Sequence, residues 1–484
     1  MSARLQHVVG FAATLVIAAL SACDSDDAEA EPTLTREQLL DPETCSGCHP
    51  RHYREWASSM HAYAARDPVF RAMNQRGQRE TEGELGDFCV KCHAPMAVRE
   101  GVTIDGLNLD DVPEHLQGVT CYFCHNVVSV GDHFNNDLEL ANDTVMRGGV
   151  VDPPRTNAHG SQYSSLHDRN HRDSTLLCGG CHDIVTPSGV QLERTFAEYK
   201  ASLFGTSTSG FETCLGCHMD TRRSPSTNDP HREVTPVSHE HLWPGVDVAL
   251  TDFPDREAQR AAIECLLSLN TRISSITHDG FGGFTVSVET DAGHSQPSGS
   301  AQDRRMWIEF IAYAADGSVI FESGNIADGE LEEKPEGDPN RDRSLAMFRD
   351  RIFDEHGDPT HMFWKAAPSE QHPSGFRSHL LPAATEAMTA HALVAGYQIA
   401  GAERIARITA RVRIRPMGMD VLQDLVDSGD LDATLLAEVP TFTLHGAAVE
   451  WRPDEPELRS LWPDDLKCPD AYLCLLDPES PDCD

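Results

Sequence analysis

Positively charged residues are scarce in this sequence. The 484 residues contain 39 lysines and arginines against 77 aspartates and glutamates, for a formal charge of −38. Such a surface repels phosphate groups, which argues against nucleic-acid binding. It favours solubility and cationic partners. A saline habitat would explain the same acidic excess, and the composition does not separate the two causes.

The sequence also lacks an apolar stretch long enough for a permanent membrane helix. The run from Val8 to Leu20 has about 13 residues, whereas a bilayer-spanning helix needs roughly 20. Arg4 precedes this run and Cys23 follows it in Leu20-Ser21-Ala22-Cys23, a pattern that resembles a bacterial lipobox. An ordinary signal peptide with an incidental cysteine is the alternative.

The lipobox interpretation predicts that residues 1–23 are a lipoprotein signal peptide and that Cys23 becomes lipidated. Residues 24–41 would then form an acidic tether. The mature protein is expected to be extracytoplasmic, held at a bacterial membrane by its lipid anchor and facing the periplasm or the cell surface.

Aromatic residues are also few, at 7% of the chain, and hydrophobic residues make up only 39%. Something besides side chains is therefore expected to fill part of the core. Cysteines, in contrast, are numerous: 15 of them is unusual for a protein of the reducing cytosol.

Ten of these cysteines form five copies of Cys-x-x-Cys-His. The copies are Cys45–His49, Cys89–His93, Cys121–His125, Cys178–His182 and Cys214–His218. This is the attachment signature of c-type haem, in which two thiols bond to one porphyrin and the adjacent histidine becomes the proximal iron ligand. Zinc sites need no histidine after every Cys-x-x-Cys, and thioredoxin-like motifs occur singly.

The sequence therefore predicts five covalently bound haem c groups. The predicted attachment residues are Cys45, Cys48, Cys89, Cys92, Cys121, Cys124, Cys178, Cys181, Cys214 and Cys217. The predicted proximal ligands are His49, His93, His125, His182 and His218. Five motifs within residues 45–218 are too dense for separate pockets, so the rings are expected to pack against one another. Close packing suits electron transfer.

Histidines outside the motifs are candidates for the second axial ligand, which closes an iron to substrates. His61 lies on a predicted helix from Pro50 to Ala65 and is expected to cap a neighbouring haem rather than its own. His159 lies in a loop rich in proline and glycine, and His167 and His171 compete with it.

His241 ends the haem region and is a further ligand candidate. A solvated loop histidine is the alternative for each candidate. That alternative is favoured for four histidines, His115, His133, His171 and His231.

These motifs carry a resemblance to a known family. The matching residues are Cys45–His49 with Pro50, Tyr53, Trp56, Ser59 and His61, then Gly118-Val119-Thr120 before Cys121, and Cys217-His218-Met219. Residues 42–245 thus resemble the multihaem cytochromes c grouped with cytochrome c-554 and hydroxylamine oxidoreductase. The resemblance implies that His61 is a distal ligand and that the haems stack in closely packed pairs.

The haem motifs of this chain differ from those of two related groups of enzymes. Hydroxylamine oxidoreductases carry more than five haems, and pentahaem nitrite reductases replace one motif histidine with lysine, whereas all five motifs here end in histidine. Neither enzymatic activity is carried over, and no catalytic residue is assigned.

The C-terminal half has a different pattern. Polar and apolar residues alternate in Phe284–Val288, Trp307–Ile311, Ser318–Phe321, Ala406–Ile414 and Thr441–Trp451. Ala315-Asp316-Gly317 joins two of these runs and predicts a hairpin. We expect an antiparallel β-sandwich over residues 246–465, after a mostly helical and irregular haem domain over residues 42–245. The fold class is therefore α+β and multidomain, with an acidic tail over residues 466–484.

Two features of this half remain open. Gly293–Gly299 resembles a segment of β-domains attached to such cytochromes, so His294 either ligates a haem or braces the domain interface as a turn histidine. Cys265, Cys468, Cys474 and Cys483 permit two disulfides in three connectivities.

The predicted function is electron transfer through five mostly bis-histidine haems, with redox proteins as partners. The alternative is an oxidoreductase that acts on a small nitrogen or sulfur compound at one open iron. The β-region is, in a third and compatible hypothesis, a docking module for a protein or a mineral surface.

Overall fold

The structure is a computed structural model. It describes residues 33–153, 158–207, 211–222, 227, 238–326, 331, 341–385, 392–455, 457–463, 466 and 468. The lipobox with Cys23, as well as His231, Cys474 and Cys483, lies outside the described residues.

The first half is built from short helices joined by irregular chain. Within the described residues the helices are α1 (Arg36–Leu39), α2 (Pro42–Ser46), α3 (Pro50–Ala57), α4 (Met60–Tyr63), α5 (Pro68–Glu80), α6 (Val90–His93), α7 (Pro95–Arg99), α8 (Cys121–His125), α9 (Ser174–His182), α10 (Thr195–Ala201), α11 (Leu203–Thr206), α12 (Cys214–His218), α13 (Arg256–Leu269) and α14 (Met419–Asp427). Short 3₁₀ turns cover Glu114–Leu116, Ser165–His167, Phe363–Lys365, Ala402–Arg404 and Ala433–Glu438. Four haem motifs end as the last turn of a helix, at His93, His125, His182 and His218.

Side-chain caps explain where several of these helices begin. Thr35 and Gln38 form a reciprocal capping box at the start of α1. Leu39 and Leu40 are buried, so the described end of the expected tether is folded into the core. Asp67 accepts hydrogen bonds from the backbone N–H groups of Val69 and Phe70 and caps α5.

The predicted helix from Pro50 to Ala65 is wrong in its length, because the chain breaks at two serines. The Ser58 hydroxyl donates to the carbonyls of Arg54 and Glu55, at 3.0 Å each. Ser59 adopts an extended conformation and caps α4 through the Ala62 N–H. Serine side chains that bond to the backbone compete with helix continuation. His61 therefore lies on its own turn, α4.

The strands divide into small sheets in the first half and larger ones in the second. They are β1 (Val127–Val130), β2 (Leu138–Leu140), β3 (Val145–Gly148), β4 (Gly160–Tyr163), β5 (Asp183–Val185), β6 (Gln191–Arg194), β7 (Thr221–Arg222), β8 (Ser238–His239), β9 (Thr271–His278), β10 (Gly283–Thr290), β11 (Arg305–Ala314), β12 (Val319–Ser323), β13 (Met347–Phe353), β14 (Pro359–Thr360), β15 (Phe376–His379), β16 (Ala392–Gln398), β17 (Ile405–Arg415), β18 (Phe442–Trp451) and β19 (Arg459–Ser460).

Two antiparallel sheets organise the second half. One has the order β16-β10-β9, and the other has the order β14-β13-β11-β17-β18-β19, with β12 beside β11 and β15 beside β13. The predicted hairpin is confirmed: β11 and β12 are joined through Gly317, whose φ of 86° suits glycine. The first eight residues of β11 are buried in succession, because this central strand is covered on both faces.

One hydrophobic core joins the two halves. It contains residues of both large sheets, such as Val286 and Ile308, together with Met73 of α5 and Leu192 of β6. The predicted α+β fold is confirmed. Within the described residues no helix has the length and apolar character needed to cross a bilayer. Cys265 and Cys468 form a disulfide with their Cα atoms 5.4 Å apart, which decides one of the open pairings.

Candidate haem-binding region

The thiols of different Cys-x-x-Cys-His motifs lie against one another. Cys45 contacts Cys121, Cys92 contacts Cys181, and Cys178 contacts Cys214. In each pair, the neighbouring sulfur and burial together raise the pKa of the second thiol, at Cys121, Cys181 and Cys214. These contacts join the first motif to the third, the second to the fourth and the fourth to the fifth.

Four motif histidines each face a histidine from elsewhere in the chain. The distances between ring centroids are 6.4 Å for His49 and His159, 6.3 Å for His182 and His61, 6.2 Å for His125 and His241, and 6.4 Å for His218 and His294. Two iron–nitrogen bonds of about 2 Å would place the centroids of opposed imidazoles roughly 6 Å apart. The spacing of all four pairs fits one metal ion between two imidazoles.

The outer ring nitrogens of these histidines are held by the backbone. Nδ1 of six candidate ligands donates to a carbonyl oxygen, at 3.0 Å for His93 to Ala64, 2.5 Å for His125 to Arg147, 2.8 Å for His159 to Gly160, 2.9 Å for His218 to Pro244, 2.9 Å for His241 to His239 and 2.9 Å for His294 to Ser295. A proton on Nδ1 leaves Nε2 as the lone-pair nitrogen. Such second partners orient metal-binding histidines and fix their tautomer.

Burial also favours the neutral form of five candidate ligands, His61, His125, His218, His241 and His294. It lowers the pKa of His61 to about 3 and that of His218 to about 4. The same cause lowers the pKa of His125, His241 and His294. Neutral imidazole is the form that binds a metal, so the charge state and the geometry agree.

His167 differs from these candidates. Its ring stacks on His125 at 5.5 Å, but its Nε2 donates to the Cys124 carbonyl at 2.8 Å and its buried Nδ1 has no partner. The nitrogen that the other candidates leave available is therefore engaged. His171 is half-exposed and pairs with Asp173. The structure argues against His167 and favours His241 as the group opposite His125.

Residues 44–126 match the family model described as cytochrome c554 and c-prime. The crystal structure of a penta-haem cytochrome c552 from Thermochromatium tepidum is similar over 87% of this chain and 100% of that chain, with 20% sequence identity and a TM-score of 0.58. The resemblance to multihaem c-type cytochromes is confirmed. No curated protein matches the chain. The cytochrome match and the paired thiols and imidazoles together support covalently bound haem c in this protein.

His93 is the exception among the motif histidines of this chain. Its imidazole stacks face to face on Phe70 of α5, with centroids 3.9 Å apart and planes at 2°. Among the described residues, no histidine ring lies opposite His93 at the spacing of the other four pairs.

Sequence reasoning missed two residues that hold the candidate ligands. Trp243 lies edge-on to both His61 and His241, at 4.7 and 5.2 Å, and reaches this position with a φ of 45°. Glu55 is buried, and one of its carboxylate oxygens accepts a hydrogen bond from the His241 N–H at 2.9 Å. Glu55 follows the second histidine of His49-Pro50-Arg51-His52 by three residues, but nothing in that spacing indicates a contact 186 residues away.

His241 also belongs to a compact group with His52 and Glu55. One ligand atom from each lies within 4.8 Å of the others. Because Glu55 already accepts from the His241 backbone and pairs with Arg51 at 3.3 Å, we interpret it as a support for His241.

Proposed function

We propose that this protein is an exported electron carrier with five covalently bound haem c groups. The observation that carries the proposal is the set of four histidine pairs at 6.2–6.4 Å, each with one motif histidine. Bound haem would supply an iron that accepts and releases one electron. Two histidine ligands on each of four irons would keep those irons closed to substrates.

In this proposal the haems are attached to the ten motif cysteines, and His49, His93, His125, His182 and His218 are the proximal ligands. The distal ligands are His159 opposite His49, His241 opposite His125, His61 opposite His182 and His294 opposite His218. His61 would thus bind the iron of a haem other than that of its nearest motif, Cys45–His49, which is the arrangement that the sequence predicts.

The thiol contacts support an order for the five groups. The fourth motif contacts the second through Cys181 and the fifth through Cys178. The third motif lies near the fourth, because the charge of the Cys178 thiolate contributes to the raised pKa of Cys124. The third motif also contacts the first, through Cys121 and Cys45. The arrangement would be a branched chain in which the fourth motif is the junction.

We propose that residues 42–245 form the haem domain and that residues 246–465 form a β-sandwich, followed by the tail over residues 466–484. The support is a ring contact across the two large sheets: Phe310 of β11 stacks on Tyr397 of β16 at 4.2 Å. Sandwiches bury such facing side chains between their sheets.

The export signal and lipid anchor at Cys23 belong to the same proposal, because bacterial haem attachment of this type follows export. The partners would be redox proteins with a basic docking face, complementary to a formal charge of −38.

Intact-mass analysis of the purified protein tests the proposal. The mature polypeptide should carry five haem masses that survive acid–acetone extraction. Electron paramagnetic resonance should then show at least four low-spin irons. A colourless product from a host competent in cytochrome maturation would refute the proposal.

The second candidate function is reduction or oxidation of a small nitrogen or sulfur compound at the iron above His93. The observation that favours it is the phenylalanine contact of His93 in place of a histidine pair. Carbon monoxide added to the reduced protein should shift about one fifth of the haem absorbance if this iron is open. An unchanged absorbance would exclude this second function and leave electron transfer as the proposed function.

A further inference from the structure

The loop that carries His294 crosses from the second half of the chain to helix α10 of the first half. Its own region holds it on one side, where Gln296 and Leu381 exchange two backbone hydrogen bonds of 2.8 Å. On the other side the Ser298 hydroxyl lies 2.9 Å from that of Thr195, which also accepts from the Gly299 N–H at 3.0 Å. The loop is therefore fixed between the two halves.

Glu198 of α10 makes the contact nearest to His294. Its Oε2 accepts from the Ser295 N–H at 3.1 Å and from the Ser298 hydroxyl at 3.2 Å. The side chain is only 17% exposed, and Arg194, one helical turn earlier, lies 3.6 Å from the other carboxylate oxygen. A charged acceptor in such a place forms stronger hydrogen bonds than a neutral one.

A chain of two hydrogen bonds runs from Glu198 to the imidazole through a single residue. The Ser295 N–H is donated to Glu198, and the Ser295 carbonyl accepts the Nδ1–H of His294 at 2.9 Å. The carboxylate thus fixes the residue whose carbonyl orients the ring. That ring lies nearly parallel to His218, with planes at 14° and centroids 6.4 Å apart.

We propose that Glu198 is a positioning residue that holds His294 on the iron of the fifth motif. The inference rests on the proposed ligation of that iron by His218 and His294. A carboxylate of the haem region, that of Glu198, would then fix the position of His294, an iron ligand from the second half of the chain. The low-spin state of this iron then depends on the contact between the halves.

Four purified holoprotein variants test the inference: His294→Ala, Glu198→Ala, Glu198→Gln and Glu193→Ala. Glu193 is the matched control, because it accepts from the Ser300 hydroxyl at 2.6 Å, on the same loop but farther from His294. The readouts are the electron paramagnetic resonance spectrum and the fraction of reduced haem that binds carbon monoxide.

His294→Ala should open one iron more than the wild type. Glu198→Ala should put a substantial part of the same iron into the high-spin, carbon monoxide-binding state, since losing a charged acceptor shifts such an equilibrium by roughly tenfold or more. Glu198→Gln should keep more of this iron low-spin than Glu198→Ala does, because its amide oxygen still accepts both hydrogen bonds, although each is weaker than a bond to the carboxylate. Glu193→Ala, whose carboxylate acts electrostatically on His182, should leave the number of low-spin irons as in the wild type.

The outcomes distinguish the proposed ligation by His294 from the proposed positioning role of Glu198. If His294→Ala leaves every iron as in the wild type, the proposed ligation is wrong. If His294→Ala opens an iron but Glu198→Ala has a wild-type spectrum, the ligation stands and the role of Glu198 is overturned. Should Glu198→Ala fail to accumulate, Glu198→Asp, which shortens the acceptor by one carbon, must show the mixed spin state, and a wild-type spectrum would overturn the inference.

Discussion

The indole of Trp243 lies edge-on to the imidazole of His61, with ring centroids 4.7 Å apart and planes at 75°. The same indole contacts His241 at 5.2 Å, and the next carbonyl, that of Pro244, accepts from His218. One short segment therefore touches histidines proposed for three different irons. Trp243 makes these contacts with a left-handed backbone conformation, which is energetically unfavourable for a bulky residue.

Trp243→Ala should loosen two of the proposed distal ligands at once. Removing the partly buried indole leaves space beside both His61 and His241, so we expect partial high-spin signals from two irons and a loss of roughly 1–3 kcal/mol of stability. Electron paramagnetic resonance and urea unfolding measure the two effects. Trp462→Ala is the control, and a Trp243→Ala spectrum identical to it would contradict the prediction.

His61→Ala should open one iron, the one bound to His182. The centroids of the two imidazole rings are 6.3 Å apart, and the alanine side chain offers no nitrogen to the iron. Carbon monoxide binding to the reduced variant should rise by about one fifth of the haem. An unchanged spin state would exclude His61 as a ligand.

His241 and His167 should behave differently on replacement. His241→Ala is expected to produce one high-spin iron, because its Nε2 is available and its ring faces His125 at 6.2 Å. His167→Ala should leave the number of low-spin irons unchanged, since its Nε2 already bonds to Cys124. The visible charge-transfer band of high-spin haem distinguishes the pair, and the reverse result would reassign the ligand.

Asp67 should make the protein less stable as the pH rises. Burial, with the nearby charge of Asp247, raises the pKa of this carboxyl from 3.8 to about 6. Between these values the folded state binds more protons than the unfolded state. Stability therefore falls with rising pH across the window, by up to about 3 kcal/mol.

Asp67→Asn should remove that component, because its amide oxygen can still cap α5 through Val69 and Phe70. In urea unfolding, the free energy of unfolding of the variant should rise relative to that of the wild type as the pH increases from 4 to 7. Asp110→Asn, at a side chain that is 89% exposed, is the control. Parallel pH profiles for wild type and Asp67→Asn would disprove the assignment.

Cys23→Ser should release the protein from membranes. The prediction rests on the Leu20-Ser21-Ala22-Cys23 sequence, since a serine offers no thiol for lipid attachment. Cell fractionation with detection of the haem-stained band measures the distribution. Continued membrane association of the variant would show that the anchor lies elsewhere.

Local patterns were sufficient for much of the architecture. Five Cys-x-x-Cys-His motifs predict the attachment points and proximal ligands, since thioether bonding and ligation act within five consecutive residues. Alternation predicts strands such as Phe284–Val288, found within β10, and Ala315-Asp316-Gly317 predicts the hairpin between β11 and β12. Two serines defeat the same reasoning at Pro50–Ala65, because their hydroxyls bond to the backbone and end the helix.

The partners of the motif histidines were decided only by the folded chain. His61 and His182, like His125 and His241, are more than one hundred residues apart, and no local spacing relates them. Packing also bonds the His167 Nε2 to Cys124 while it leaves His241 opposite His125, places Trp243 between two candidate ligands and brings His294 across to His218. Covalent attachment needs only neighbours along the chain, whereas an opposed pair of ligands needs two distant segments held a fixed distance apart by a shared core.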